Sequence, residues 1–334
     1  MEVAIFRRFE HQILAMDPGY IDLPQINHIA LQAKGGGVFD DRDWRESYYF
    51  NLTDRRSGLS LITTIGLLPN RNRSSGFVLL LKDGKAIFLS PLVEFKKPRP
   101  ESFAFRLKGL EYSVEGAGWR LRYQARKCSF DLKFTPVNKI FPYIHDGDEG
   151  AFSRLGTQHY EQSGIFEGEL TFKGRTVGIG PSPGHRDHSW GPRDWSAASF
   201  YRLFCCAFSR ELAFNLWEGR IGGANFIRGY VFDGKTNTAV ERSDVTTIYE
   251  KDGKRPRKAN IRIRDARGRT FHISCEMIGG MTVPVKGSLL HENVARMRCD
   301  DLEGTGLMEY LHHETAHAPR MRAWLGLVAL AGGM

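Results

Sequence analysis

Two aspartates, two histidines, two arginines and two tryptophans fall within the dozen residues Gly184-His185-Arg186-Asp187-His188-Ser189-Trp190-Gly191-Pro192-Arg193-Asp194-Trp195. A solvated loop has little use for two tryptophans, and a plain core strand has little use for so many ionisable groups. The mixture fits the wall of a pocket that is apolar in body and holds a few placed polar groups. A carboxylic acid in apolar surroundings has its pKa raised and stays protonated near neutral pH, which makes Asp187 the expected proton donor. His188 is the expected proton relay or water activator. Trp190 and Trp195 offer faces to a developing cation, each worth roughly 1–2 kcal/mol when desolvated.

Strand geometry limits this assignment. Along a regular strand His188 and Trp190 share one face with Arg186, while His185, Asp187 and Ser189 share the other. Asp187 and His188 then meet in one cavity only across a bulge, which Gly184 or the Gly191-Pro192 break would allow. The alternative is a structural clasp, with Asp187 and Asp194 paired to Arg186 and Arg193 and the tryptophans as core. Further candidates for substrate contact are Trp44, Glu46, His159, Asp194, Trp195, Tyr201 and Trp217. For Glu46 an ion pair is the competing role, for His159 a surface position, and for Tyr201 a place in the core or at the rim.

The elements that must position these residues read as strands. Ser47 to Leu52, Leu59 to Leu68, Gly76 to Leu81 and Ala86 to Leu89 are short β-branched or aromatic runs separated by turn chemistry such as Asp83-Gly84. Further runs follow at Phe103 to Leu107, Glu111 to Val114, Trp119 to Tyr123 and Cys128 to Phe134. The acidic, glycine-containing stretch from His145 to Gly150 breaks the pattern and predicts a boundary, with domains at 1–150 and 151–334. The second half repeats the strand grammar from Phe166 onward. Arg42-Asp43-Trp44 recurs as Arg193-Asp194-Trp195, and Asp83-Gly84-Lys85 as Asp233-Gly234-Lys235, at almost the same separation. Two such matches predict tandem related β domains, each the size of a small antiparallel barrel.

The run Asp187-His188-Ser189-Trp190-Gly191, preceded by His159-Tyr160-Glu161-Gln162-Ser163-Gly164 and by Trp44-Arg45-Glu46-Ser47-Tyr48-Tyr49-Phe50, resembles the carotenoid 1,2-hydratase (hydroxyneurosporene synthase) superfamily of double-lipocalin proteins. Tocopherol cyclases and certain natural-product Diels-Alderases are similar. The resemblance implies an all-β fold of two tandem lipocalin-like antiparallel β-barrels. It also implies catalysis without metal or organic cofactor on an isoprenoid or polyene alkene, held in an apolar cavity between or inside the barrels. The chain departs from the hydratases where they carry a Tyr-x-Asp pair on a later strand; Asn215-Leu216-Trp217-Glu218 stands there. The competing expectations are a carrier that only binds an apolar molecule and a pericyclase that uses pocket shape alone.

Composition narrows the partners. With 41% hydrophobic and 25% charged residues the 334-residue chain is an ordinary folded protein. The formal charge of +9 favours anionic surroundings. Lys251 to Arg269 is basic but holds no aromatic residue, so nucleic-acid binding is not expected; a solvated hairpin or peripheral contact with an anionic membrane is. The apolar run Ala323 to Ala331 is too short to span a bilayer and suits packing or an interfacial position. Five cysteines without Cys-x-x-Cys spacing predict reduced thiols in the cytoplasm, and no signal-peptide pattern opens the chain. His313-Glu314-Thr315-Ala316-His317 matches a zinc-protease pattern. Pro319 follows closely, the preceding residues read as a strand, and no third ligand comes after it, so no metal is expected there.

Overall fold

The computed structural model describes residues 41–98, 104–143, 158–285 and 287–313. The strands are β1 (Trp44–Asp54), β2 (Leu59–Leu68), β3 (Arg73–Lys82), β4 (Lys85–Glu94), β5 (Ala104–Leu107), β6 (Leu110–Glu115), β7 (Gly118–Gln124), β8 (Cys128–Pro136), β9 (Phe141–Pro142), β10 (Gln158–Phe172) and β11 (Arg175–Pro192). They continue with β12 (Ala198–Ala207), β13 (Ala213–Ile221), β14 (Ala224–Phe232), β15 (Asn237–Tyr249), β16 (Pro256–Asp265), β17 (Thr270–Val285), β18 (Ser288–Cys299) and β19 (Leu302–His313). The fold is all-β, in two tandem barrel-like units. The first is an 11-stranded sheet in the order β4-β3-β2-β1-β11-β10-β8-β7-β6-β5, with β9 beside β10; the second is a closed barrel of β12 to β19.

The change of sheet comes between Pro192 and Ala198, not near residue 150. β10 and β11 lie beyond the expected boundary, yet β11 pairs with β1 and β10 pairs with β8. The first sheet therefore needs these two long strands to join its early strands to its late ones, and the Asp187 motif belongs to it. His145 to Gly150 lie outside the described residues. The internal repeat falls in matching places: Trp44 opens the first strand of the first sheet, and Trp195 sits in the short helical turn just before the first strand of the barrel. Asp83-Gly84 and Asp233-Gly234 each turn from the third strand to the fourth of their unit.

Burial explains why several strands read as continuous apolar runs. All ten residues of β2 are buried. Its Leu59, Leu61, Ile65 and Leu67 enter the core enclosed by the first sheet, while Ile62 joins a second cluster outside it. β12 divides likewise: Phe204 and Cys206 point into the closed barrel, and Tyr201, Leu203 and Cys205 point out to the same second cluster. A strand buried on both faces loses the alternation of a half-exposed one. The two units thus meet through their outer faces, while side chains such as Trp44, Trp119, Phe50 and Phe134 fill the first interior and Phe204, Phe214, Met297 and Met308 fill the second.

One close approach holds the motif strand in place. Gly164 and Gly184 are cross-strand partners. A Cβ on Gly184 would run into the Asn51 carbonyl and the Phe166 ring, and one on Gly164 into the Phe134 ring. We expect Gly184→Ala to cost about 1–3 kcal/mol through overpacking. An unchanged denaturant midpoint would contradict this packing.

The basic stretch forms the turn after β15, then β16 and the turn beyond it, and its arginines pair with acids: Arg262 with Asp244, Arg267 with Asp233, and Arg269 with Asp233 and Asp265. All five cysteines are free and buried. No helix among the described residues is long and apolar enough to cross a membrane. His313 ends a strand rather than sitting on a helix; Glu314 to His317 and the apolar tail lie outside the described residues.

Candidate active site

The β11 strand decides which residues meet. Its pairing with β1 runs without interruption from Trp44↔Pro192 to Leu52↔Gly184, and its pairing with β10 from Gln158↔Trp190 to Phe166↔Ser182. No bulge falls between Asp187 and His188, so strict alternation sends their side chains to opposite faces. Asp187 and Ser189 line a cavity between the two units, beside Arg45, Ser47, Tyr49, His159 and Arg193 of the first segment. The barrel contributes Tyr201, Leu203, Trp217, Leu290, Glu292 and Glu309 to the facing wall, and Trp195 lies at the join. The cavity volume is about 100 Å³, smaller than the roughly 300–1,000 Å³ of most small-molecule sites, so a ligand must extend through the open mouth or part the two walls.

His188 and Trp190 turn instead into the first sheet's interior, a correction to their expected place at the reacting groups. His188 Nε2 lies 3.1 Å from Glu46 Oε1, both side chains fully buried. The imidazole stacks on Tyr48 at 3.9 Å between ring centroids and meets Trp190 at 4.7 Å. Trp44 is packed in the same core. Trp44, Glu46, His188 and Trp190 thus support the cavity wall from behind and do not line it. His188→Gln is expected to lower stability by roughly 1–3 kcal/mol, because it disturbs a buried hydrogen-bonded pair, and to leave turnover per folded molecule unchanged. A selective loss of turnover at unchanged melting temperature would overturn this placement.

The expected Asp–Arg clasp does not form. Arg186 points into the first interior, donating to Gln162 Oε1 at 2.6 Å and lying 5.5 Å from the Trp119 ring centroid. Arg193 donates to the hydroxyls of Ser47 and Ser189. Asp194 caps the short helical turn, accepting the Ser196 N–H at 3.0 Å, so its carboxyl serves the backbone and does not line the cavity. Burial raises the Asp187 carboxyl above the ordinary aspartate range, and the charge of Glu161 adds to the rise against the pull of His159 and Arg193.

A network behind Asp187 ties the two units together. Glu161 contacts His185, and its other oxygen lies 2.8 Å from His159 Nε2. Asn215 of β13 donates to Glu161 at 3.2 Å and lies 3.0 Å from His185 Nε2, so the residue standing where the Tyr-x-Asp pair was sought joins this network. Burial alone would raise the Glu161 carboxyl; His185 and His159 hold it down to about 2. Glu161 is therefore the fixed negative charge of the site, and Asp187 the acid that burial pushes towards its protonated form. One ligand atom from each of His159, Glu161 and Asp187 lies within 4.8 Å of the others, a set with the donors for a cation. The His159–Glu161 contact already engages one atom of each.

The facing wall carries two acids that residue patterns did not single out. Glu292 of β18 and Glu309 of β19 are direct cross-strand partners. Tyr49 donates to Glu292 Oε2 at 3.0 Å and Tyr201 to Glu309 Oε1 at 2.7 Å. Two carboxyls side by side in a buried site do not both ionise readily. Burial and the neighbouring Glu309 charge push Glu292 well above the usual range. Burial lifts Glu309 to about 7, with Tyr201 and Glu292 hydrogen bonds opposing the rise. The signal was present in the sequence as a lone acid inside an apolar run, Leu307-Met308-Glu309-Tyr310-Leu311. Trp217 and Trp195 line the cavity, Trp217 meeting Tyr201 edge-on at 5.8 Å. Arg193 already lies over the Trp195 ring at 5.7 Å, which removes that face as a cation platform.

A sequence-family profile described as "Domain of unknown function (DUF7064)" matches residues 38–314. No curated protein matches the chain in sequence. Among solved structures, an AttH-like protein of Nitrosomonas europaea is similar at 14% identity and a TM-score of 0.60, covering 80% of this chain and 92% of that one. Kievitone hydratase of Nectria haematococca is similar at 14% identity and a TM-score of 0.56, covering 80% and 88%. CghA in complex with Sch210972 is similar at 11% identity and a TM-score of 0.61, covering 82% and 89%. At these identities the likeness is one of fold.

Proposed function

We propose that this chain, which belongs to the family described as a domain of unknown function (DUF7064), is a cofactor-independent acid/base enzyme acting on an alkene in an apolar small molecule of isoprenoid or polyene type. The observation that carries the reading is a raised, half-buried Asp187 on one wall of the interbarrel cavity, facing a carboxyl pair on the other. A kievitone hydratase on a similar fold agrees with it. In hydration, the Asp187 carboxyl gives its proton to one alkene carbon and the C=C π pair becomes the new C–H bond. Water oxygen bonds to the other carbon, and Glu309 takes the proton that water loses. In cyclisation the first step is the same, and a second π bond or hydroxyl of the substrate replaces water. Both filled barrel interiors count against a carrier that encloses its ligand within a barrel.

The test is mass spectrometry of apolar molecules extracted from the purified protein, followed by incubation of the extracted compound with fresh protein in heavy-oxygen water. Hydration puts heavy oxygen into the product, whereas cyclisation changes the compound without it. Recovery of no apolar molecule, or of one that the protein leaves unchanged, would count against the enzyme reading.

A further inference from the structure

We infer that Arg45 and Arg193 form an anion subsite at one end of the cavity, so that the substrate carries a carboxylate, phenolate or enolisable carbonyl oxygen on its apolar body. Arg45 follows Trp44 on β1, and alternation turns it outward to the cavity, 4% exposed. Its Nε and Nη1 are buried without a hydrogen-bond partner among the described residues, and so is the Nε of Arg193. Leaving such donors unsatisfied costs free energy that a ligand acceptor would recover.

The space these groups occupy is specific to them. The Arg45 guanidinium lies against Gly66 on β2, where any Cβ would strike Nη2, Cζ and Nε; only a residue without a side chain lets it rest there. Arg193 is aimed by the hydroxyls of Ser47 and Ser189. Arg193 lies close enough to disfavour the Arg45 charge. Burial and then Arg193 lower Arg45 to about 9, against the pull of Asp187. The charge of Asp187 acts on both, and burial raises its carboxyl above the ordinary aspartate range. Two desolvated cations with one acid in the same cavity wall are complementary to a ligand anion, and planar forks of donors suit a carboxylate or a polarised carbonyl. The carboxyl pair on the opposite wall repels an anion, so the cavity orients its ligand: charged oxygen towards β1, apolar body towards Trp217 and Leu290.

This subsite rests on the reading of the cavity as a small-molecule site, and the test separates the two. Cinnamate and cinnamyl alcohol, alike in shape but not in charge, are titrated calorimetrically into the full chain and into its Arg45→Met and Arg193→Met variants. The expected result is tighter binding of cinnamate than of the alcohol by the parent chain. Each methionine variant should lose roughly 10- to 100-fold in cinnamate affinity while its affinity for the alcohol barely changes. Arg45→Met should melt no lower than the parent, because an apolar chain replaces an uncompensated cation; a large drop in melting temperature would make Arg45 a structural clasp and overturn the subsite. Equal binding of the two ligands, or a cinnamate preference that survives both substitutions, overturns the subsite and leaves the cavity reading standing. Binding of neither ligand overturns both.

Discussion

Asp187→Asn is expected to reduce turnover of the extracted substrate by about 10²–10⁴-fold, the usual worth of a general acid, with ligand affinity and melting temperature close to those of the parent chain. Asparagine keeps the shape of the side chain and most of its hydrogen-bonding capacity but has no proton to give. The stability part of the expectation follows from the surroundings: Arg186 is turned away to Gln162, and Arg193 is held by Ser47 and Ser189. Had Asp187 been half of a buried ion pair, its removal would cost roughly 3–5 kcal/mol. Normal turnover, or a loss matched by a loss of folded protein, would show that the carboxyl is not the acid.

Glu309→Gln should be comparably damaging and Glu292→Gln much milder. The pair holds one proton, and burial together with the Glu309 charge keeps it on Glu292. A glutamine at 292 still donates to Glu309, so the base survives; a glutamine at 309 cannot accept a proton, and the expected loss is again about 10²–10⁴-fold. The pair also leaves a mark on stability. Burial raises Glu309 in the folded chain to about 7, so between the ordinary glutamate range and that value the folded state binds more protons than the unfolded one. Stability from this group is complete at low pH and falls as pH rises towards about 7. Glu309→Gln should flatten that fall and melt higher than the parent above neutrality. Equal effects of the two substitutions, or a parent whose stability rises with pH in that window by the same amount as the variant's, would contradict the shared proton.

Strand grammar was legible because it depends on local residue choice: β-branched and aromatic runs, and turns such as Asp83-Gly84 and Asp233-Gly234, mark the elements on their own. The tandem repeat was legible for the same reason. The sheet to which β10 and β11 belong was not, since pairing of Tyr49 with Asp187 or of Gly164 with Pro136 is a long-range event that no local pattern records. Alternation along β11 already separated Asp187 from His188; only the register showed that no bulge reunites them. Glu309 is marked locally as a lone acid in an apolar run, but Glu292 is not, and the chemistry of the two arises only when β18 and β19 pair and face Asp187 across the cavity. Arg45 was overlooked beside Trp44 and Glu46, although its outward face follows from the same alternation that buries them.

The most direct measurement is a crystal structure of the chain with the molecule extracted from it. The alkene should lie in the interbarrel cavity, one carbon within proton-transfer reach of the Asp187 carboxyl and the other turned towards Glu309. A ligand seated inside either barrel, or in the cavity with its alkene away from Asp187, would contradict the account.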